Sequence, residues 1–224
     1  MTLTTLVLLA VFVGLGQWQW QRGVAKEASW AAFENEGAAV SGVTDFDAMP
    51  RYRRVAFSCT YLGQRQFLLD NRPHAGRPGY EVLTPCALPD GRHILVNRGW
   101  VPFTGRRDRL PDVSIAGSSG SVSGRMEELP VGGLAAGHAA PESAAGWPKV
   151  TSFPTHAELE ASLGEKLVRR VVLLDPSPPD NGYVREWSPP GLAPVRHFSY
   201  AIQWWGFAAV LLVIYFGLNF RKVS

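Results

Sequence analysis

From Phe198 to Phe220 the chain carries no charged side chain over 23 residues. About 20 apolar residues, rising 1.5 Å each, cross the roughly 30 Å hydrocarbon core of a bilayer. The run therefore reads as a membrane-spanning helix over residues 197–220, followed by a cytoplasmic tail at 221–224. His197 stands at its head, Trp204 and Trp205 form an aromatic belt at one interface, and Arg221 and Lys222 anchor the other.

The opposite end repeats the pattern. Residues 1–21 are free of charge, rich in Leu, Val and Ala, and leave through Gly16-Gln17-Trp18-Gln19-Trp20-Gln21-Arg22. A secretory signal is the alternative reading of this run, but a basic n-region and an Ala-x-Ala cleavage site are both missing, so a retained anchor is expected. The lack of basic residues ahead of Leu3 also leaves room for a start further upstream.

Two spans bracket residues 22–196, long enough for a core of their own. They put both termini on one side of the membrane. Arg221 and Lys222 favour a cytoplasmic C-terminus, while Arg22, Lys26 and Arg196 weaken the bias, and the expectation is an external domain. The two spans account for a charged fraction of 18%, against about 25% in soluble domains. With a net charge of +3 and basic residues scattered among acidic ones, nothing points to nucleic acid.

Within the middle segment, Val24 to Phe33 extends the first span as a stalk helix stopped by Gly37. Arg54 to Tyr61, Gln66 to Leu69, Tyr80 to Ala87, His93 to Val101 and Val168 to Leu174 are short runs of β-branched and aromatic residues between turn-forming clusters. They predict a β-rich α+β domain, mostly an antiparallel sheet or barrel. Pro89-Asp90-Gly91 predicts a hairpin turn, and Thr155 with Glu158 a capping box that starts a helix ending at Gly164. The Gly/Ser/Ala stretches from Ala116 to Gly124 and from Val131 to Gly146 read as loops around a short strand near Ser123 to Met126. The prolines from Pro176 to Pro194 read as an extended approach to the second span. Cys59 and Cys86 both lie in strand-like runs, and either one disulfide or two buried thiols fits them.

Catalytic signatures are missing. No nucleophile elbow, phosphate loop or dinucleotide fingerprint occurs, and the histidines are never at metal-ligand spacing with each other or with a cysteine. A membrane-anchored binding or assembly factor is expected rather than an enzyme. His197 differs from the other histidines, since on a helix it shares a face with Tyr200, Ala201, Trp204 and Ala208. An imidazole beside aromatic and small residues suits an axial ligand to haem iron in a greasy cleft. Gly14, Trp18 and Arg22, at i, i+4 and i+8, would make the other wall, with Arg22 pairing a propionate. The alternative is a histidine at the interface bonding backbone or lipid. Strands ending in Asn71-Arg72 and in Asn97-Arg98-Gly99-Trp100 look alike, and in a scaffold that binds partners without haem they would mark the docking edge. Delivery of Cu(I) is disfavoured, because neither a Cys pair nor a Met/His cluster supplies a soft site.

Five segments together carry a family resemblance. Leu15–Arg22 with Lys26, Leu69–Arg72, Gly79–Pro85, Val96–Pro102 and His197–Trp204 resemble, in order, the Surfeit locus protein 1 family of cytochrome oxidase biogenesis proteins. The resemblance implies a two-span inner-membrane protein with its β-rich domain on the outer face, acting in assembly of haem-a-type cytochrome c oxidase. It further implies transient binding of haem a and aid to its insertion into oxidase subunit I, with His197 as the iron ligand. The haem a synthesis machinery is a further partner to consider. Lacking an Arg- and Ser-rich transit segment, the chain is expected in a bacterial plasma membrane, with its domain periplasmic and both termini cytoplasmic.

Overall fold

The computed structural model describes residues 2–35, 37–115, 119–132, 137–144, 146–176 and 182–220. Their order is α1 (Thr2–Glu34), β1 (Val40–Ser41), β2 (Arg54–Tyr61), β3 (Phe67–Leu69), β4 (Gly79–Ala87), β5 (His93–Pro102), β6 (Ser119–Glu127), β7 (Lys149–Thr151), α2 (His156–Leu163), β8 (Leu167–Leu174) and α3 (Pro194–Asn219). They form two units. One comprises Met1–Asn35 with Ser188–Ser224, the other Glu36–Trp187.

In the helical unit, the first apolar run and its stalk are one helix. Nothing between Gln21 and Val24 breaks it, and its 33 residues reach about 50 Å at 1.5 Å each, well beyond a hydrocarbon core. The second long helix starts three residues before His197, because Pro194 takes the first helical position, where its fixed φ suits the helix and its missing N–H costs nothing. Both helices are long and apolar enough to cross a membrane. The proposed anchor at Arg221 and Lys222, and the tail at 221–224, lie outside the described residues.

In the β unit the strands run in the order β1-β2-β6-β8-β5-β4-β3-β7, and β2 also pairs with β4. That pairing, Thr60 with Ala87 and Tyr61 with Cys86, closes β2-β6-β8-β5-β4 into a barrel. β1 with β2, β3 with β7 and β5 with β8 are parallel; every other pair is antiparallel. The predicted hairpin is present, with Gly91 at φ +84° in the turn from β4 to β5. Beside the closing seam, Cys59 and Cys86 form a disulfide, which settles the two alternatives left open by the sequence.

Val55, Ile94, Val96, Val122, Met126 and Val172 fill one part of the core. Phe67, Leu83 and Leu95 receive Leu159 and Leu163 of α2 in another. The capping box of Thr155 and Glu158 starts that helix and Gly164, at φ +78°, ends it, both as expected.

Two expectations are corrected. The Gly/Ser stretch is not a loop around a short strand, because Ser119–Gly124 belongs to β6, which is nine residues long. Its glycines are there for closeness, since a Cβ on Gly124 would strike the Leu173 carbonyl and one on Gly120 the Tyr61 ring. The parts of the two predicted loops at 116–118, 133–136 and 145, and of the proline-rich approach at 177–181, lie outside the described residues. Asn97, in turn, is not at a strand end. β5 continues through it to Pro102, opposite a register shift between Glu81 and Leu83 of β4.

Candidate functional site

Helical period decides which side chains of α1 and α3 meet. On α3, Phe198, Ala201, Trp205 and Ala208 recur at three and four residues and share one face; on α1, Phe12, Gly16, Gln19, Trp20 and Gly23 do the same. The helices pack along these faces in antiparallel fashion, with the Thr2 hydroxyl 3.2 Å from that of Tyr215 at one end and Lys26 donating to the Pro190 carbonyl at 2.8 Å near the other. Gly16, Gly23, Ala201 and Ala208 are the buried residues of the pair. A Cβ on Gly16 would overlap the Trp205 indole, and one on Gly23 the Phe198 ring. Small residues let the backbones approach and large rings fill the opposite groove.

The seam has two edges. On one, Trp20 lies 4.8 Å from Phe198 and 5.8 Å from Trp205, between ring centroids. On the other, Phe12 stacks on Trp204 at 5.8 Å and meets Phe207 at 6.0 Å, and Trp204 and Phe207 pack edge to face. Two turns along the pair from this aromatic panel, the half-buried His197 places Nδ1 2.9 Å from Oε1 of Gln19. Nε2 makes no hydrogen bond to another described residue. Tyr200, exposed, flanks the same edge.

Here the expected second wall is corrected. A Cβ on Gly14 would meet nothing of α3 within 4 Å, and Trp18 is 50% exposed beneath the Arg22 guanidinium, 5.6 Å from the ring centroid. Gly14, Trp18 and Arg22 lie around the helix from Gly16 and Gly23, so they do not form the seam. A flat ring sandwiched between the two helices is excluded at the level of Gly16 and Gly23, where rings of α3 already occupy the groove. What remains beside His197 is the lateral panel. Phe12, Gln19 and Phe207 were missed from sequence, although the seven-residue spacing shared by Gly16/Gly23 and Ala201/Ala208 marks the facing sides.

The residues proposed as a docking edge are also relocated. Asn97, Arg98 and Trp100 are 2%, 8% and 7% exposed, too buried to meet a partner. Asn97 donates from Nδ2 to Glu81 at 2.7 Å and accepts the Gly99 N–H. Trp100 donates from Nε1 to the Arg72 carbonyl at 2.6 Å, and Arg72 reaches toward Glu81 at 3.7 Å. Only Asn71 is exposed, in the left-handed conformation, φ +60°, expected of a strand end.

Arg98 donates to Gln66 Oε1 at 2.9 Å and to the Val113 carbonyl at 2.8 Å, with Tyr183 under its guanidinium at 4.4 Å. Burial lowers its pKa, and burial raises those of Tyr61 and Tyr183, which the positive charge of Arg98 pulls back down. This is an internal network pinning residues 113–114 to the barrel. Among the described residues, no cluster of three or more His, Cys, Asp or Glu side chains is placed to hold a metal ion.

Two long apolar helices flanking a closed mixed-sheet domain define a membrane-anchored β protein, with an imidazole hydrogen-bonded to an amide between the two helices. The SURF1 family model matches residues 6–209, so the chain belongs to the SURF1 family and has a role in cytochrome c oxidase assembly. No curated protein sequence matches the chain.

Proposed function

We propose that this assembly factor binds haem a transiently through His197 and aids its insertion into oxidase subunit I, without catalysing a covalent change. The observation that carries the reading is the imidazole itself, half-buried at the head of α3, its Nε2 unbonded among the described residues, two turns from the panel of Phe12, Trp204 and Phe207. An axial imidazole holds the iron, and the rings offer a flat, apolar rest for the macrocycle. With the helix seam occupied at Gly16 and Gly23, Trp204 and Tyr200 on the outer edge of the pair would hold the macrocycle. Arg22, three residues beyond Gln19 on α1, would pair with a propionate. A cargo held by one protein ligand on a lateral face leaves sideways into the membrane, which suits a carrier better than an enclosed pocket.

Both helices cross a bacterial plasma membrane in this reading, with the barrel in the periplasm and both termini in the cytoplasm. The Cys59–Cys86 disulfide supports that side, since such bonds persist in oxidising compartments. Subunit I is the receiving partner and the haem a synthesis machinery the donor. The rival scaffold reading loses its docking edge with the burial of Asn97, Arg98 and Trp100.

The test is the visible spectrum of the protein purified from cells that make haem a. Wild type is expected to carry haem a and His197→Ala to lose it; a haem-free wild type, or an unchanged mutant, would remove the assignment.

A further inference from the structure

We infer that Gln19 is a positioning residue for His197, holding its imidazole as the Nδ1–H tautomer so that Nε2 is the ligand atom; this rests on the haem-binding reading above. Three glutamines alternate along α1 at positions 17, 19 and 21, and the helical period puts Gln17 and Gln21 on one face and Gln19 on another. Gln17 and Gln21 are exposed, whereas Gln19 is part-buried against α3 with Oε1 2.9 Å from Nδ1 of His197. A carbonyl oxygen only accepts, so Nδ1 carries the proton and donates. In a neutral imidazole the other nitrogen then holds the lone pair, and Nε2 is left to bond a metal.

The contact orients as well as protonates. An imidazole at the head of a helix rotates about two side-chain bonds, and one hydrogen bond to the neighbouring helix fixes its plane. Histidines that bind metals ordinarily carry such a partner on the second nitrogen, which sets tautomer and ring plane and raises the basicity of the ligand atom. A glutamine at position 19 also explains why a polar amide lies in the seam of two apolar helices, where an unpaired one would be costly. It ties α1 to the cargo through α3, so pairing of the helices and competence of the ligand are one event.

The test titrates the purified full-length chain in detergent micelles with haem a, following the Soret band and the midpoint potential of the bound haem. Gln19→Leu is expected to weaken binding about 10- to 100-fold, the usual loss when the outer partner of a ligating histidine is removed. Gln17→Leu, on the outer face, is expected to bind as wild type does. Gln19→Glu keeps an acceptor and makes it anionic, so binding is expected to persist with a more negative midpoint potential. Should Gln19→Leu bind like wild type while His197→Ala does not, the role of Gln19 is refuted and the ligand stands. Should His197→Ala itself bind like wild type, the ligand assignment falls first. If Gln19→Leu does not accumulate, an unshifted potential in Gln19→Glu refutes the positioning role alone.

Discussion

Replacing Cys59 and Cys86 together by alanine tests how the barrel is held shut. Closure rests on a short seam, since β2 meets β4 at only two register pairs, against seven between β2 and β6. The disulfide lies at that seam and joins residues 27 apart. In the chain-entropy description a loop of that length, once released, lowers stability by about 3.5 kcal/mol. For a folding unit of this size that corresponds to a fall in Tm of roughly 7–14 °C. The assay is near-UV circular dichroism of the full-length protein in detergent, with hydrogen exchange read by peptide. Peptides covering residues 58–62 and 85–88 are expected to lose protection first, because their pairing has least else to hold it. Those spanning β6 and β8, zipped by four register pairs, are expected to keep theirs. A melt within about 2 °C of wild type would refute the idea that the seam depends on its crosslink, since 3.5 kcal/mol cannot hide in so small a shift. Two titratable thiols in denatured protein from an oxidising compartment would refute the bond itself.

In the helical unit, Gly16→Leu is expected to force α1 from α3 by displacing the Trp205 indole, weakening the near-UV signal of the Trp20–Trp205 pair, while Gly14→Leu leaves that signal unchanged. Arg98→Met is expected to change stability by no more than about 1 kcal/mol in chemical denaturation, because the Val113 carbonyl and Gln66 Oε1 each keep another donor and a buried cation is removed. Gln66→Leu, which strips partners from Thr84, Arg98 and Val113 at once, is expected to cost about 2–4 kcal/mol in the same assay. His156 has its pKa lowered, first by burial and then by Arg169, so it favours the neutral form in the folded state. The unfolded chain therefore takes up its proton first. This residue's contribution is present above about pH 6.5 and declines as the pH falls below that value toward the lowered folded one. Comparing Tm at pH 7.5 and 5.5 is expected to show a smaller acid loss in His156→Gln than in wild type.

What was legible in the sequence follows from how strongly each environment marks its residues. β2, β4, β5 and β8 were visible because runs such as Arg54–Tyr61 and Leu167–Leu174 are β-branched and bounded by turn chemistry. β6 was only partly visible, because its glycines answer to neighbours pressing on them, Leu173 and Tyr61, that are distant in sequence. β1 and β7, two and three residues long, exist through their partners alone. Asn97, Arg98 and Trp100 looked like a surface because polar groups usually lie outside; the closed barrel instead buries them in a hydrogen-bonded network, where Glu81 satisfies Asn97, Gln66 and Val113 satisfy Arg98, and the Arg72 carbonyl satisfies Trp100.

The site divides along the same line. His197 was legible, being a lone imidazole at the head of an uncharged run. Its partner was not, because a helix surrounded by lipid is apolar on every face and amphipathicity cannot say which side meets another helix. Only the positions of small residues can. Gly14-Trp18-Arg22 offered one plausible face at four-residue spacing, and Gly16-Gly23 offered another at seven. The second matches Ala201 and Ala208 on the facing helix, as two helices packing over several turns require. Choosing that face brings Gln19 to His197 and turns Trp18 outward. The polar residue that completes the candidate ligand is thus selected by the glycines around it.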